Sequence, residues 1–197
     1  MKAAAATFGI RWLTTTALLA TVSAILMFLD FALPLFPPFL KMDFSEVPGV
    51  LAVIALGPYA GVMVELVKNL INLPHTMTAG VGELASFVIG CALVIPAGVL
   101  YRRSKTTAGA VISLLAGVTA MSAAAALANY YALIPLYSKV VPIDRILALY
   151  SKVNPYADTV PKLILTGIVP FNVLKGTVIS LVSFALYKKL SRVLDSR

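Results

Sequence analysis

Cysteine is almost missing from this chain of 197 residues: Cys91 stands alone, so no disulfide can form within it. Cys91 lies inside an apolar run and is read as a small buried hydrophobe. Histidine is as scarce, and a single His75 without neighbouring ligand residues does not make a metal site. There is no G-x-x-x-x-G-K-[ST] phosphate loop, no H-E-x-x-H, no C-x-x-C and no G-x-S-x-G. The chain therefore does not hydrolyse ATP through a phosphate loop, and no nucleophile–base set stands out. Charge is the most telling shortage. Only 12% of residues are charged while 60% are hydrophobic, against about 25% charged in ordinary soluble domains. That much apolar surface has to face lipid. The net charge of +8 does not point to nucleic acid, because the basic residues sit at the edges of apolar runs rather than in a stripe interleaved with aromatics.

The length is that of one domain, taken as residues 1–197. About 20 apolar residues are needed to cross the hydrocarbon core. Trp12–Leu29 carries no charge; it is too long for a signal-peptide core, no small-x-small cleavage site follows it, and it is read as a retained first helix. Gly80–Leu100, Thr106–Ile134 and Lys162–Tyr187 are three further spans. Val47–Leu73 reads either as one span or as two short helices, Val47–Leu56 and Tyr59–Leu73, hinged at Gly57-Pro58. The positive-inside rule chooses the second. With two helices, Lys2, Arg11, Arg102, Arg103, Lys105, Lys188, Lys189, Arg192 and Arg197 all fall inside with one acid, Asp195. The expectation is an all-α membrane protein, a six-transmembrane-helix bundle with helices 2 and 3 short and both termini cytoplasmic. Its outer loops are Asp30–Glu46, a proline-rich cap with Pro34, Pro37 and Pro38; Pro74–Ala79; and Leu136–Pro161, where Asp144–Lys152 has weak helical periodicity.

Polar side chains are expensive in lipid and mark sites or pathways. Glu65, Lys68, Asn69, Glu83, Asn129, Asn172 and Lys175 all fall in the outer half of this topology. Asn172 and Lys175, three residues apart, share a helix face, and Pro170 frees backbone groups beside them. Two amides, an ammonium and the aromatic surface of Tyr130-Tyr131 suit a planar heterocycle carrying polyol groups. Plainer readings stand beside this one. Glu65 and Lys68 are spaced to pair with each other, Asn129 could be interhelical glue, and Glu83 suits the positive end of a helix dipole. Ala20 and Ala24 form a small-xxx-small pair, for a partner helix or for packing inside the bundle.

Several stretches resemble the riboflavin-specific substrate-binding (S) component of energy-coupling-factor (ECF) transporters, the RibU group. They are Phe39-Leu40-Lys41-Met42-Asp43-Phe44-Ser45-Glu46-Val47-Pro48-Gly49, Gly57-Pro58-x-Ala60-Gly61-Val62, Glu65-Leu66-x-Lys68-Asn69-Leu70, Gly82-Glu83-Leu84-Ala85, Leu127-Ala128-Asn129-Tyr130-Tyr131 and Pro170-Phe171-Asn172-x-x-Lys175-Gly176. The resemblance implies a subunit without enzymatic activity in the plasma membrane of a prokaryote. It implies riboflavin as transported ligand and no resident cofactor, and leaves open whether FMN also binds. Asn129, Asn172 and Lys175 would hold the flavin, Leu40, Lys41, Met42, Asp43 and Phe44 would cover it, and Glu83 would contact it. Ala20 and Ala24 would meet the membrane coupling (T) subunit, with two cytoplasmic ATPase subunits supplying energy. Two alternatives remain at this stage: an S component for another vitamin, and a membrane enzyme acting on lipid-like substrates with Glu65 and Glu83 as its acids.

Overall fold

The computed structural model describes residues 9–37, 39–76, 80–138 and 142–194. Lys2, Pro38, residues 77–79, Asp195 and Arg197, which entered the topology argument, lie outside the described residues.

Seven helices form among the described residues. They are α1 (Ile10–Met27), α2 (Glu46–Leu56), α3 (Pro58–Asn72), α4 (Val81–Arg103), α5 (Thr107–Tyr137), α6 (Ile143–Ser151) and α7 (160–194). Four of them, α1, α4, α5 and α7, are long and apolar enough to cross a membrane. The count exceeds the six expected because α6 forms within the third outer loop. It is a nine-residue amphipathic helix, where the sequence showed only weak periodicity over Asp144–Lys152.

The hinge between α2 and α3 is where the proline placed it. Gly57 has φ 105°, a left-handed conformation that glycine adopts without strain, and Pro58 opens α3 at a position where its missing N–H costs nothing. The Arg102 guanidinium fills the space where a Cβ of residue 57 would sit and lies 3.4 Å from the Leu56 carbonyl. That contact puts the hinge at the same end of the bundle as the α4 C-terminus. The Tyr101 and Tyr187 hydroxyls, 2.6 Å apart, bring the end of α7 there too. At the opposite end, Phe28 after α1 packs edge-on against His75 after α3. The chain thus reverses direction at Gly57, and α2 and α3 together fill one down-and-up traverse. α2 crosses no lipid alone: Val50 and Ala52 are fully buried, and Val47, Val50 and Val53 pack against Leu93, Val94 and Ala97 of α4 and Ile179 of α7.

Two helices carry π turns followed by proline. In α5 the turn Asn129–Leu133 precedes Pro135, and in α7 the turn Ile164–Ile168 precedes Pro170. Proline has no N–H for the carbonyl four residues back, and an inserted π turn absorbs the mismatch. In α7 that carbonyl belongs to Thr166, and the buried Tyr150 of α6 donates its hydroxyl to it at 3.1 Å. The third outer loop is thereby fastened onto α7.

The first loop is structured without a helix. Phe31–Ala32 (β1) and Lys41–Met42 (β2) pair antiparallel, with Phe31 opposite Met42. Phe36 packs edge-on against Phe171 of α7 with ring centres 5.3 Å apart.

Candidate substrate-binding site

A cavity of ≈ 170 Å³ opens between the first loop and the halves of α4, α5 and α7 at the end of the bundle away from Gly57. Asn129, Asn172 and Lys175 all line it. Both asparagines stand at π turns, Asn129 as the first residue of its turn and Asn172 four residues past the other. Each amide donates to the carbonyl four residues back, Ala125 and Ile168, at 2.8 Å. That bond fixes the side chain and leaves each Oδ1 as an acceptor. Apolar walls come from Leu40, Ile89, Met121, Leu133 and Phe171. A second, almost wholly apolar chamber of ≈ 210 Å³ shares Phe39, Asn129 and Tyr137 with the first and reaches Ile134 and Ile146. One end of the site is therefore polar and the other greasy, and α6 contributes to the greasy end through Ile146.

Beneath the polar end lies a network of buried charge. Lys175 Nζ is 2.8 Å from Asp43 Oδ2 and 3.1 Å from Glu46 Oε1. Lys68, with no exposed surface, is 2.7 Å from Glu65 Oε2 and 3.0 Å from Ser45 Oγ, and its Nζ is 3.6 Å from Glu46 Oε1. Glu46 thus bridges the two ammonium groups. The Glu65 carboxylate fits where it does because Gly90 and Gly49 face it; a Cβ at residue 90 would lie 2.1 Å from Glu65 Oε2. Asp43 also accepts the Ser45 N–H at 2.8 Å. Burial pushes the Asp43 carboxyl up, but the Lys175 and Lys68 ammonium groups outweigh it and hold the group below the usual carboxylate range. An ammonium offers three donors, and Lys175 uses two on carboxylates, so one remains for the cavity.

The first-loop residues divide. Leu40 and Lys41 line the cavity, although the Lys41 ammonium turns to Asp30 at 2.9 Å on the surface. Met42 is buried, Phe44 packs into the core against α2, and Asp43 reaches the cavity only through Lys175. Tyr130 and Tyr131 stack edge-on against each other but are largely exposed and line neither chamber. The expected contact residues Glu83, Ala20 and Ala24 have other neighbours here. Glu83 does not line the cavity. It accepts from Asn72 Nδ2 at 3.2 Å and Thr76 Oγ1 at 2.7 Å, tying the turn between α3 and α4 from the first turn of its own helix. Ala20 and Ala24 do not form an outward surface. They are 1% and 4% exposed, and Ala20 packs against Ala52, Ala60 and Val64 of α2 and α3, so the close approach they allow is internal. Glu65 pairs with Lys68, the plainer of its two readings, and does not share a pocket with Glu83 as a catalytic pair would. Glu46 and Phe39, both within the resemblance but not singled out, line the cavity. Polarity at the very start of a helix was the one available signal for Glu46.

Comparison with known proteins decides the family. Residues 11–187 match the family model of the ECF transporter substrate-specific component. The chain belongs to that family. It is 35% identical over 182 residues to the riboflavin transporter RibU of Staphylococcus aureus (strain TCH60), covering 92% of this chain and 91% of that protein. It is 31% identical over 185 residues to the riboflavin transporter FmnP of Bacillus subtilis (strain 168), covering 92% of each. A solved structure described as "Structure and mechanism of the S component of a bacterial ECF transporter" superposes with a TM-score of 0.75 at 33% identity, over 93% of this chain and 97% of that one. Membership makes this S component a membrane transport subunit and not an enzyme, which closes the lipid-enzyme alternative.

Proposed function

We propose that this S component captures riboflavin from outside the cell and hands it inward when a coupling subunit and two ATPase subunits supply energy. The observation that carries the reading is the pairing of chambers at the outer end. One holds Asn129, Asn172 and a spare Lys175 donor; the other is lined by Phe39, Ile134, Tyr137 and Ile146. A flavin has a carbonyl- and imide-bearing edge, a methylated apolar edge and a polyol tail, and the two chambers match that division. The names of the two relatives support the same ligand. Asn129, Asn172 and Lys175 hold the heterocycle, Leu40 and Lys41 cover it, and Asp43 and Glu46 hold Lys175 in place. The whole chain works as one binding unit of six bundle helices, with α6 added at the outer face. The end carrying Arg102, Arg103 and Lys105 lies in the cytoplasm, by the positive-inside rule.

Titration of the purified protein against riboflavin, read by quenching of flavin fluorescence, tests this. Asn172→Ala removes one buried acceptor and is expected to cost about 1–3 kcal/mol, roughly 5- to 150-fold in Kd. Tight binding of thiamin or biotin with no quenching of riboflavin would replace the ligand assignment.

A further inference from the structure

The end of the bundle opposite the substrate site holds its own cavity, ≈ 180 Å³, which none of the binding argument uses. Its lining is Tyr101 from α4, Lys105, Thr106 and Thr107 from the α4–α5 turn and the start of α5, and Phe184 and Tyr187 from α7. Tyr101 is 6% exposed, and its hydroxyl lies 2.6 Å from that of Tyr187. Only one of the two hydroxyl protons is used in that bond, so the pair keeps one donor for a third oxygen. Thr106 is committed to capping, accepting the Gly109 N–H at 3.0 Å. Thr107 and Lys105 are exposed at the rim, and Lys105 has no ion pair among the described residues. No Asp or Glu of the described residues lies at this end: Asp30, Asp43, Glu46 and Glu83 sit at the outer face, Glu65 in mid-bundle, and Asp144 and Asp158 in the third outer loop. Arg102 and Arg103 stand on the last turn of α4 at the same end of the bundle, the Arg102 guanidinium turned to the Leu56 carbonyl. The combination is a set of hydroxyl donors and a free ammonium, over an apolar floor of Ala110 and Phe184, at the end of the bundle that the topology proposed above puts in the cytoplasm.

We propose that this cavity binds a phosphate group, supplied by the headgroup of an anionic phospholipid of the inner leaflet. Lys105 pairs with the phosphate charge, and Thr107 and the Tyr101–Tyr187 pair donate to its oxygens. The apolar floor receives the start of an acyl chain. Basic pockets between transmembrane helices on the cytoplasmic side take such headgroups by the same chemistry.

Native mass spectrometry of the full chain, released from micelles mixed with phosphatidylglycerol or phosphatidylcholine, is the test. The expected result is one retained phosphatidylglycerol and no matching retention of phosphatidylcholine. Lys105→Gln is expected to weaken retention about five-fold, and Tyr187→Phe also to weaken it. Lys152→Gln, an equal charge loss in the third outer loop, leaves it unchanged. Melting temperatures near wild type show that the variants are folded. Inorganic phosphate, titrated by phosphorus NMR, separates the sources. If phosphate binds and Lys105→Gln abolishes it without any lipid preference, the phosphate site stands and its occupant is a free anion. Equal retention of both lipids with no phosphate binding overturns the proposal. So does a Lys152→Gln loss as large as that of Lys105→Gln, which would show a diffuse surface potential.

Discussion

Replacing Lys68 by methionine probes the buried charge network without touching the cavity wall. Lys68 has no exposed surface and stands 2.7 Å from Glu65 Oε2, and Glu65 is equally buried. Methionine keeps the length of the side chain and loses the charge. Glu65 then has no cation of its own, and Glu46 keeps only Lys175, 3.1 Å away. Breaking a buried pair by removing one partner costs about 3–5 kcal/mol. At roughly 2–4 °C per kcal/mol for a chain of this size, the melting temperature falls by about 6–20 °C. Glu65→Gln in the Lys68→Met background removes the stranded carboxylate, and most of the loss returns. Thermal unfolding in detergent, followed by the helical circular-dichroism signal, measures all four corners of the cycle. A melting temperature for Lys68→Met within about 2 °C of wild type would refute the reasoning, as would strictly additive single and double variants.

Other consequences follow from particular contacts. Tyr150→Phe leaves the Thr166 carbonyl without its donor at 3.1 Å, costing about 1–3 kcal/mol in thermal stability and exposing the third outer loop to protease earlier than wild type. Ala20→Leu forces bulk into the packed face of α1 against α2 and α3, so it lowers the melting temperature of the isolated S component, an effect of about 1–3 kcal/mol that a purely partner-facing residue would not show. Asp43 has a folded-state pKa held below its unfolded value. Its contribution is therefore complete above pH ~4 and lost as pH falls through the lower folded value, so stability owed to the Asp43–Lys175 tie is flat from pH 5 to 8. Asp43→Asn removes that acid-side loss, which a pH series of melting temperatures reads directly.

Much of the architecture was legible because membrane chemistry leaves few options. The four long spans announced themselves by hydropathy, and Gly57-Pro58 offered a hinge that the distribution of basic residues then decided. Asn172 and Lys175 could be placed on one face by their spacing alone, and the structure does bring them to one cavity with Asn129. What stayed hidden depends on contacts distant in sequence. Lys175 and Asp43 are 132 residues apart, and nothing local at either position announces the other. The small-residue pair in α1 fits a partner helix and an internal one equally well, and only the packed bundle shows that Ala20 and Ala24 point inward. Glu83 illustrates the same ambiguity: a carboxylate at the start of a helix serves the turn before it as readily as a ligand. α6 was faint because a helix of nine residues gives few turns over which to read a period.

The absorption spectrum of the full chain purified from cells fed riboflavin bears most directly on the claim that the outer cavity is a flavin site. The wild type is expected to show the visible bands of an oxidised flavin at close to one equivalent per chain, much reduced in the Asn129→Ala, Asn172→Ala double variant at unchanged melting temperature. A colourless wild-type protein that also fails to take up added riboflavin would contradict it, as would a fully coloured double variant.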